Sequence, residues 1–229
     1  MRCAIMQPTY LPWYGYFNLI ASCDVFVFLD NVQFERRSWQ SRNRILLNGR
    51  EHLLSVPTKK VARESLINEI ETTNEHGNWR EKHISLIRHA YAKAPYGLEL
   101  LDILEPVFES STSDKLVSIN CLLIKTLSKA LMLETRFIDA SLTNCIGKRS
   151  SLLYSICRSV NADEYLSPVG SKEYLDVDGV FHDSGVSLLF QSYKLKEYTQ
   201  LGTPKFVSHL SVVDLIAQVG LRAAQSYIL

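Results

Sequence analysis

Arg36, Arg37, Arg42 and Arg44 crowd one short segment, and Glu35 is the single acid between residues 35 and 50. Guanidinium forks fit phosphate oxygens bidentately, so this density suits a nucleotide-sugar diphosphate, an acyl adenylate or a tRNA acceptor end. If residues 41–47 are extended, Arg42 and Arg44 share one face and Asn43 takes the other. The same arginines equally describe a solvated edge strand whose charges discourage sheet-to-sheet pairing. Asp30 leaves an apolar run just upstream, beside Gln33. Its carboxylate is a candidate general base on a hydroxyl or amine, or else an ion-pair partner of Arg36 or Arg37 that orders the loop. Trp39 completes the candidate binding set of this segment.

A second concentration runs from Gln7 to Phe17 and holds Tyr10, Trp13 and Tyr16 around Gly15. Three aromatics can wall a sugar or base, with phenol, indole and the Gln7 amide as directional groups. Gly15 at a helix start allows close approach of an anion to free amides. The alternatives are core aromatics and a packing glycine.

Lys82 and His83 adjoin on an expected helix and project about 100° apart. His83 falls on the apolar side, as a catalytic histidine or as a satisfied core group. Ser167-Pro168-x-Gly170-Ser171 with Tyr174 sits at an expected strand-loop-helix junction, where backbone amides can hold phosphate or carboxylate. Simple capping by Ser171 is the alternative. No G-x-S-x-G frame surrounds these serines, which argues against a nucleophile elbow. Gln191 adds an amide suited to sugar hydroxyls. No second histidine or cysteine stands at ligand spacing, so no metal site is expected.

These groups need a scaffold. Residues 2–6 form an expected buried strand ending at Gln7-Pro8. Tyr16 to Cys23 carries helical apolar spacing, and Val25-Phe26-Val27-Phe28-Leu29 is a continuous apolar run. Strand, helix and buried strand make a βαβ unit with an expected right-handed crossover. Asn48-Gly49 separates two apolar runs and marks a hairpin. Amphipathic helices are expected over Trp79 to Ala92 and from an Asp114 cap through Leu131. Strands follow at Thr135–Ile138, Glu164–Leu166 and Val186–Phe190, with a helix from Ser150 or Ser151 through Val160. Ser211 and Asp214 fit a capping start for a last helix ending at Gly220. The fold expected is α/β: a Rossmann-like, mostly parallel sheet flanked by helices, with a helical insertion over about residues 75–133 of a single 1–229 domain.

Global composition narrows the classes. With 46% hydrophobic and 21% charged residues the 229-residue chain reads as globular, and a net charge of +1 gives no pull toward genomic nucleic acid or anionic membrane. No apolar run approaches the roughly 20 residues of a membrane span. Gln7-Pro8 interrupts any signal-peptide pattern. Five scattered cysteines, without a C-x-x-C pair, fit reduced thiols in the cytoplasm. Cofactor and oligomeric state stay open.

The blocks Gln7-Pro8-x-Tyr10-Leu11-Pro12-Trp13-x-Gly15-Tyr16-Phe17, Asp30-x-Val32-Gln33-Phe34 and Arg36-Arg37-Ser38-Trp39-Gln40-x-Arg42-Asn43-Arg44-Ile45 resemble the WbqC-like family. So do Ala94-Pro95-Tyr96, Leu166-Ser167-Pro168-x-Gly170-Ser171, Phe190-Gln191 and Leu210-Ser211-x-x-Asp214-Leu215. The resemblance implies a role in bacterial O-antigen and related surface-polysaccharide pathways, with aminoacyl (glycyl) transfer to a sugar as the suggested activity. The expected partners are small molecules, a sugar or nucleotide sugar and an activated acyl donor. Asp30 or His83 would be the base.

The opening also resembles HIGH-type nucleotidyltransferases. Trp13-Tyr14-Gly15-Tyr16 stands where H-x-G-H would be, without its histidines. That likeness implies nucleotidyl transfer or adenylate-forming ligation. A non-catalytic module binding a nucleotide sugar or a partner is the third expectation.

Overall fold

The chain is described over residues 1–229 by a computed structural model. It runs β1 (Arg2–Met6), α1 (Tyr14–Ala21), β2 (Val25–Phe28), β3 (Arg42–Leu47), β4 (Arg50–Ser55), α2 (Trp79–Tyr91) and α3 (Gly97–Ser110). Then come α4 (Leu116–Ala130), β5 (Arg136–Asp139), α5 (Ser150–Ser159), β6 (Glu164–Ser167), α6 (Lys172–Asp178), β7 (Ser187–Phe190) and α7 (Val212–Ile228). Five strands form one sheet in the order β5-β2-β1-β6-β7, every pair parallel. The α/β expectation is met. Among the named strands, antiparallel pairing occurs in the separate β3–β4 hairpin, whose Asn48 and Gly49 take φ of 51° and 73°.

Both sheet faces are buried, and strand alternation sorts side chains between them. Ala4, Phe26, Phe28 and Leu166 face a large apolar cluster shared with α1, α2, α3, α4, α7 and the hairpin. Cys3, Ile5, Val25, Val27 and Tyr165 face a smaller cluster shared with α5 and α6. In the large cluster, fully buried Phe26 and Phe28 each contribute about 1.5–3 kcal/mol.

Local signals explain most boundaries. The Asn78 side chain caps α2 by accepting from the Arg80 and Glu81 amides at 3.1 and 3.4 Å. Ser211 caps α7 by accepting from the Val213 amide at 3.4 Å. Three expectations change. Asp114 does not cap α4; the first helical amide, Leu116, donates instead to the Ile70 carbonyl at 2.9 Å. Asp214 closes no capping box; it is fully buried and accepts from Tyr91 Oη, Tyr198 Oη and Gln200 Nε2 at 3.0, 2.7 and 2.9 Å. Gly220 breaks α7 rather than ending it. Its φ of 77° kinks the helix where the Tyr96 ring packs against it, and helical turns resume to Ile228. The helix α3 falls inside the expected helical segment of about 75–133, with Pro106 in its interior and Leu100, Leu101, Leu104, Val107 and Phe108 as its buried stripe.

Candidate functional site

In this strand order the chain leaves β1 toward β2 on one side, while β6 flanks β1 on the other. Loops that depart in opposite directions leave a crevice beyond the carboxyl ends of such strands. A cleft of about 380 Å³ lies there. Gln7 and Thr9 enter it from the β1 exit, and Glu35, Ser38, Trp39 and Gln40 from the segment after β2. Pro168, Gly170, Ser171 and Tyr174 enter from the β6 exit, over a floor that includes Ile5, Met6, Leu153 and Tyr165.

Hydrogen bonds lock these walls. Gln40 Nε2 donates to Gln7 Oε1 at 2.8 Å, and Gln40 Oε1 accepts from the Glu35 amide at 3.0 Å. The Tyr10 amide donates to the Trp39 carbonyl at 3.0 Å. Asn120, from α4, donates to the carbonyls of Pro8 and Gln40 at 3.1 and 2.7 Å. Asn43 Nδ2 donates to the carbonyls of Tyr10 and Leu11 at 3.1 and 2.8 Å. The two unusual sequence blocks are thus stitched into one wall, with both asparagine amides buried. That arrangement preorganises the cleft.

On the opposite wall Ser171 Oγ donates to the Pro168 carbonyl at 2.6 Å and lies 2.6 Å from Ser167 Oγ. Ser167 itself is fully buried and does not line the cleft. Burial raises the Tyr174 phenol above its ordinary value, with Ser171 and Arg149 opposing. Trp39 keeps 50% of its surface exposed, and the Arg44 guanidinium lies 5.5 Å from its ring centroid. Glu35 is the one carboxylate bordering the cleft. Its backbone is fixed by Gln40 and Ser38, while its side chain enters no hydrogen bond or ion pair in the structure.

Of the residues singled out from sequence, the cleft gathers Gln7, Trp39, Gly170, Ser171 and Tyr174. The others lie elsewhere. Asp30 is 4% exposed; its Oδ1 accepts from the Ser141 amide at 2.8 Å and its Oδ2 from Ser141 Oγ at 2.6 Å. It thereby ties the β2 exit to the β5 exit and pairs with neither Arg36 nor Arg37. His83 is buried among Tyr10 and Trp79, with Nδ1 2.8 Å from Tyr10 Oη. Burial holds its pKa down at about 4, with the Ser55 backbone opposing, so the ring is neutral at pH 7.

Tyr10 is fully buried and Tyr16 nearly so, with Tyr16 Oη donating to the Gln7 carbonyl at 3.0 Å. Trp13 packs on Tyr14, Tyr193 and His209. A Cβ on Gly15 would stand 2.2 Å from the Trp13 ring, so this glycine seats the indole. Gln191 Nε2 donates to the Gly15 carbonyl at 2.8 Å and to Asn18 Oδ1 at 2.6 Å. Arg44 pairs with Glu51 at 2.6 Å, and Arg42 is half-buried beside it on the hairpin. Lys82 Nζ donates to the His76 carbonyl. Gln33 Nε2 donates to the Arg63 carbonyl at 2.8 Å, Arg36 Nη2 to the Val61 carbonyl, and Arg37 is exposed with a φ of 60°.

Sequence reading passed over Thr9, Glu35, Ser38 and Gln40 as site residues. A lone carboxylate inside a basic run was the available signal for Glu35. No local pattern marked Gln40, whose role comes from its bond across to Gln7.

The WbqC-like protein family model matches residues 7–226 of the chain. A relative from Mycobacterium tuberculosis, carrying the name uncharacterized protein Rv1507c, is 28% identical over an alignment of 229 residues. That alignment covers 97% of this chain and 95% of the relative. No solved structure matches the chain significantly. No helix is long and apolar enough to cross a membrane.

Proposed function

The chain belongs to the WbqC-like protein family, and on that premise we propose an enzyme of bacterial surface-polysaccharide biosynthesis that transfers an aminoacyl group, glycyl first among them, to a sugar amine or hydroxyl. The observation that carries this reading is the switch-point cleft itself. Its volume of about 380 Å³ falls at the small-ligand end of binding cavities. The amide nitrogen of Gln7 and the hydroxyls of Thr9 and Tyr174 suit the alternating donors and acceptors of a sugar ring. The half-exposed indole of Trp39 offers a face for the apolar side of that ring.

The lining holds no cysteine, and Ser171 Oγ is engaged with the Pro168 carbonyl and Ser167. A direct transfer between two bound substrates therefore fits better than a covalent enzyme intermediate. Positioning and one base suffice for that chemistry. The nucleotidyltransferase reading draws less support, because Trp13 and Tyr16, at the positions of the missing histidines, are taken up by interior contacts. A cytoplasmic reaction fits five cysteines that all remain unpaired.

The test is deletion of the gene followed by mass analysis of the polysaccharide repeat. Loss of a glycyl mass, restored by the wild-type chain but not by Trp39→Ala, is the expected result. An intact repeat in the deletion strain overturns the proposal.

A further inference from the structure

Beside the switch-point cleft lies a second hollow of about 580 Å³, lined by Gln33, Phe34, Glu35, Arg36, Ala62 and Arg63. Glu35 borders both. The second hollow is more cationic than the first, since two arginines line it beside one glutamate, whereas the first has that glutamate and no arginine or lysine. Its walls are held in place: Gln33 Nε2 donates to the Arg63 carbonyl at 2.8 Å, and the Phe34 amide donates to the Ser65 carbonyl at 2.8 Å. Arg36 is anchored through Nη2 on the Val61 carbonyl. The Arg63 guanidinium makes no ion pair or hydrogen bond within the protein, and Arg63 is exposed. One anchored and one free guanidinium on residues that line a single hollow fit a polyoxygenated anion such as a phosphate or diphosphate.

Resting on the transfer reading above, we infer that the Arg36–Arg63 hollow binds the phosphate-bearing acyl donor, and that Glu35, shared by the two hollows, is the base that deprotonates the acceptor. The acceptor O–H or N–H gives its proton to the Glu35 carboxylate. The freed electron pair forms the new bond to the acyl carbon. The acyl C–O bond to phosphate breaks, and its electron pair departs on the phosphate oxygen, where the two guanidiniums take up the charge. No oxidant, reductant or further reactant enters this balance. Neither Asp30 nor His83 can take the proton so directly, because the first is occupied by Ser141 and the second is buried against Tyr10.

Calorimetric titration of inorganic pyrophosphate into the full chain tests the anion site. Arg63→Ala should weaken binding about tenfold, the scale of one charge-assisted contact. Glu35→Gln should strengthen it about twofold, because a nearby negative charge is removed. Absence of binding to the wild-type chain, or equal binding by Arg63→Ala, overturns the site. The base role is read separately, in the deletion strain. Glu35→Gln should accumulate as folded protein, with an unchanged thermal midpoint, yet fail to restore the repeat mass; full restoration overturns it. An intact repeat in the deletion strain would defeat the transfer reading and the base with it. The pyrophosphate titration would still decide the anion site by itself.

Discussion

The loops that leave β1 and β2 are equally unusual in composition, yet they spend their side chains in opposite ways. From the β1 loop and the α1 turns it leads into, Tyr10, Leu11, Tyr14, Tyr16 and Phe17 all turn inward and are buried. From the β2 loop, Glu35, Arg36, Arg37 and Trp39 stay exposed, while Gln40 and Ser41 hold the loop backbone from behind through the Glu35 amide and the Ser38 carbonyl. The first loop is a keystone and the second is a lining. A cluster of chemistry-bearing residues therefore marks a place where geometry is demanding, without saying whether a ligand or the rest of the chain makes the demand. Partners decide it: an aromatic ring with an apolar pocket and a hydrogen-bond acceptor within the fold is taken up there.

Substitutions can break this contrast, and their expected effects on stability descend as follows. Phe17→Ala, at a fully buried position, should lose about 3–5 kcal/mol in urea unfolding. A loss under about 1 kcal/mol would mean the β1 loop and the start of α1 are less integral than their burial indicates. Acid should expose the same dependence through His83. Its folded pKa near 4 lies below the ordinary 6.5, so the unfolded chain binds the extra proton first. Stability is then highest above pH 6.5 and falls as pH drops toward 4, by about 3 kcal/mol in all. Urea midpoints for wild type and His83→Gln across that window check it, and the variant should lose this part of the slope.

Asn43→Ala removes the donor shared by the Tyr10 and Leu11 carbonyls and should lose about 1–3 kcal/mol. Because Asn43 joins the two loops, this variant should also impair the repeat-mass complementation, which sharpens the view of one stitched wall. Trp39→Ala should change stability by no more than about 0.5 kcal/mol, as expected for a half-exposed position. It should nevertheless fail in complementation. A large loss of stability there would erase the distinction between keystone and lining.

The α/β class and most elements were legible because they follow from short-range rules. Continuous apolar runs marked β1 and β2, Asn48-Gly49 marked the hairpin, and Ser211 sits at a real helix start. The misreadings share a cause. Asp214 has the spacing of a capping residue, but Tyr91, Tyr198 and Gln200 converge on it from distant segments. Gly220 has the look of a helix end, but the Tyr96 ring needs the space that a Cβ would fill.

By itself, then, the amino-acid order determined the strand-helix alternation, the hairpin and the two loops in which unusual residues gather. Those features depend on residues within a few positions of one another, where propensity, capping and apolar period act. Only the folded chain decided that β6 lies beside β1, so that Ser171 and Tyr174 face Gln7 and Trp39 across a cleft. Only there did Gln40 and Asn120 join the loops, and Glu35 come to stand between two hollows. Such contacts span more than a hundred residues in places, and their free energy comes from burial and pairing that exist once the sheet is assembled.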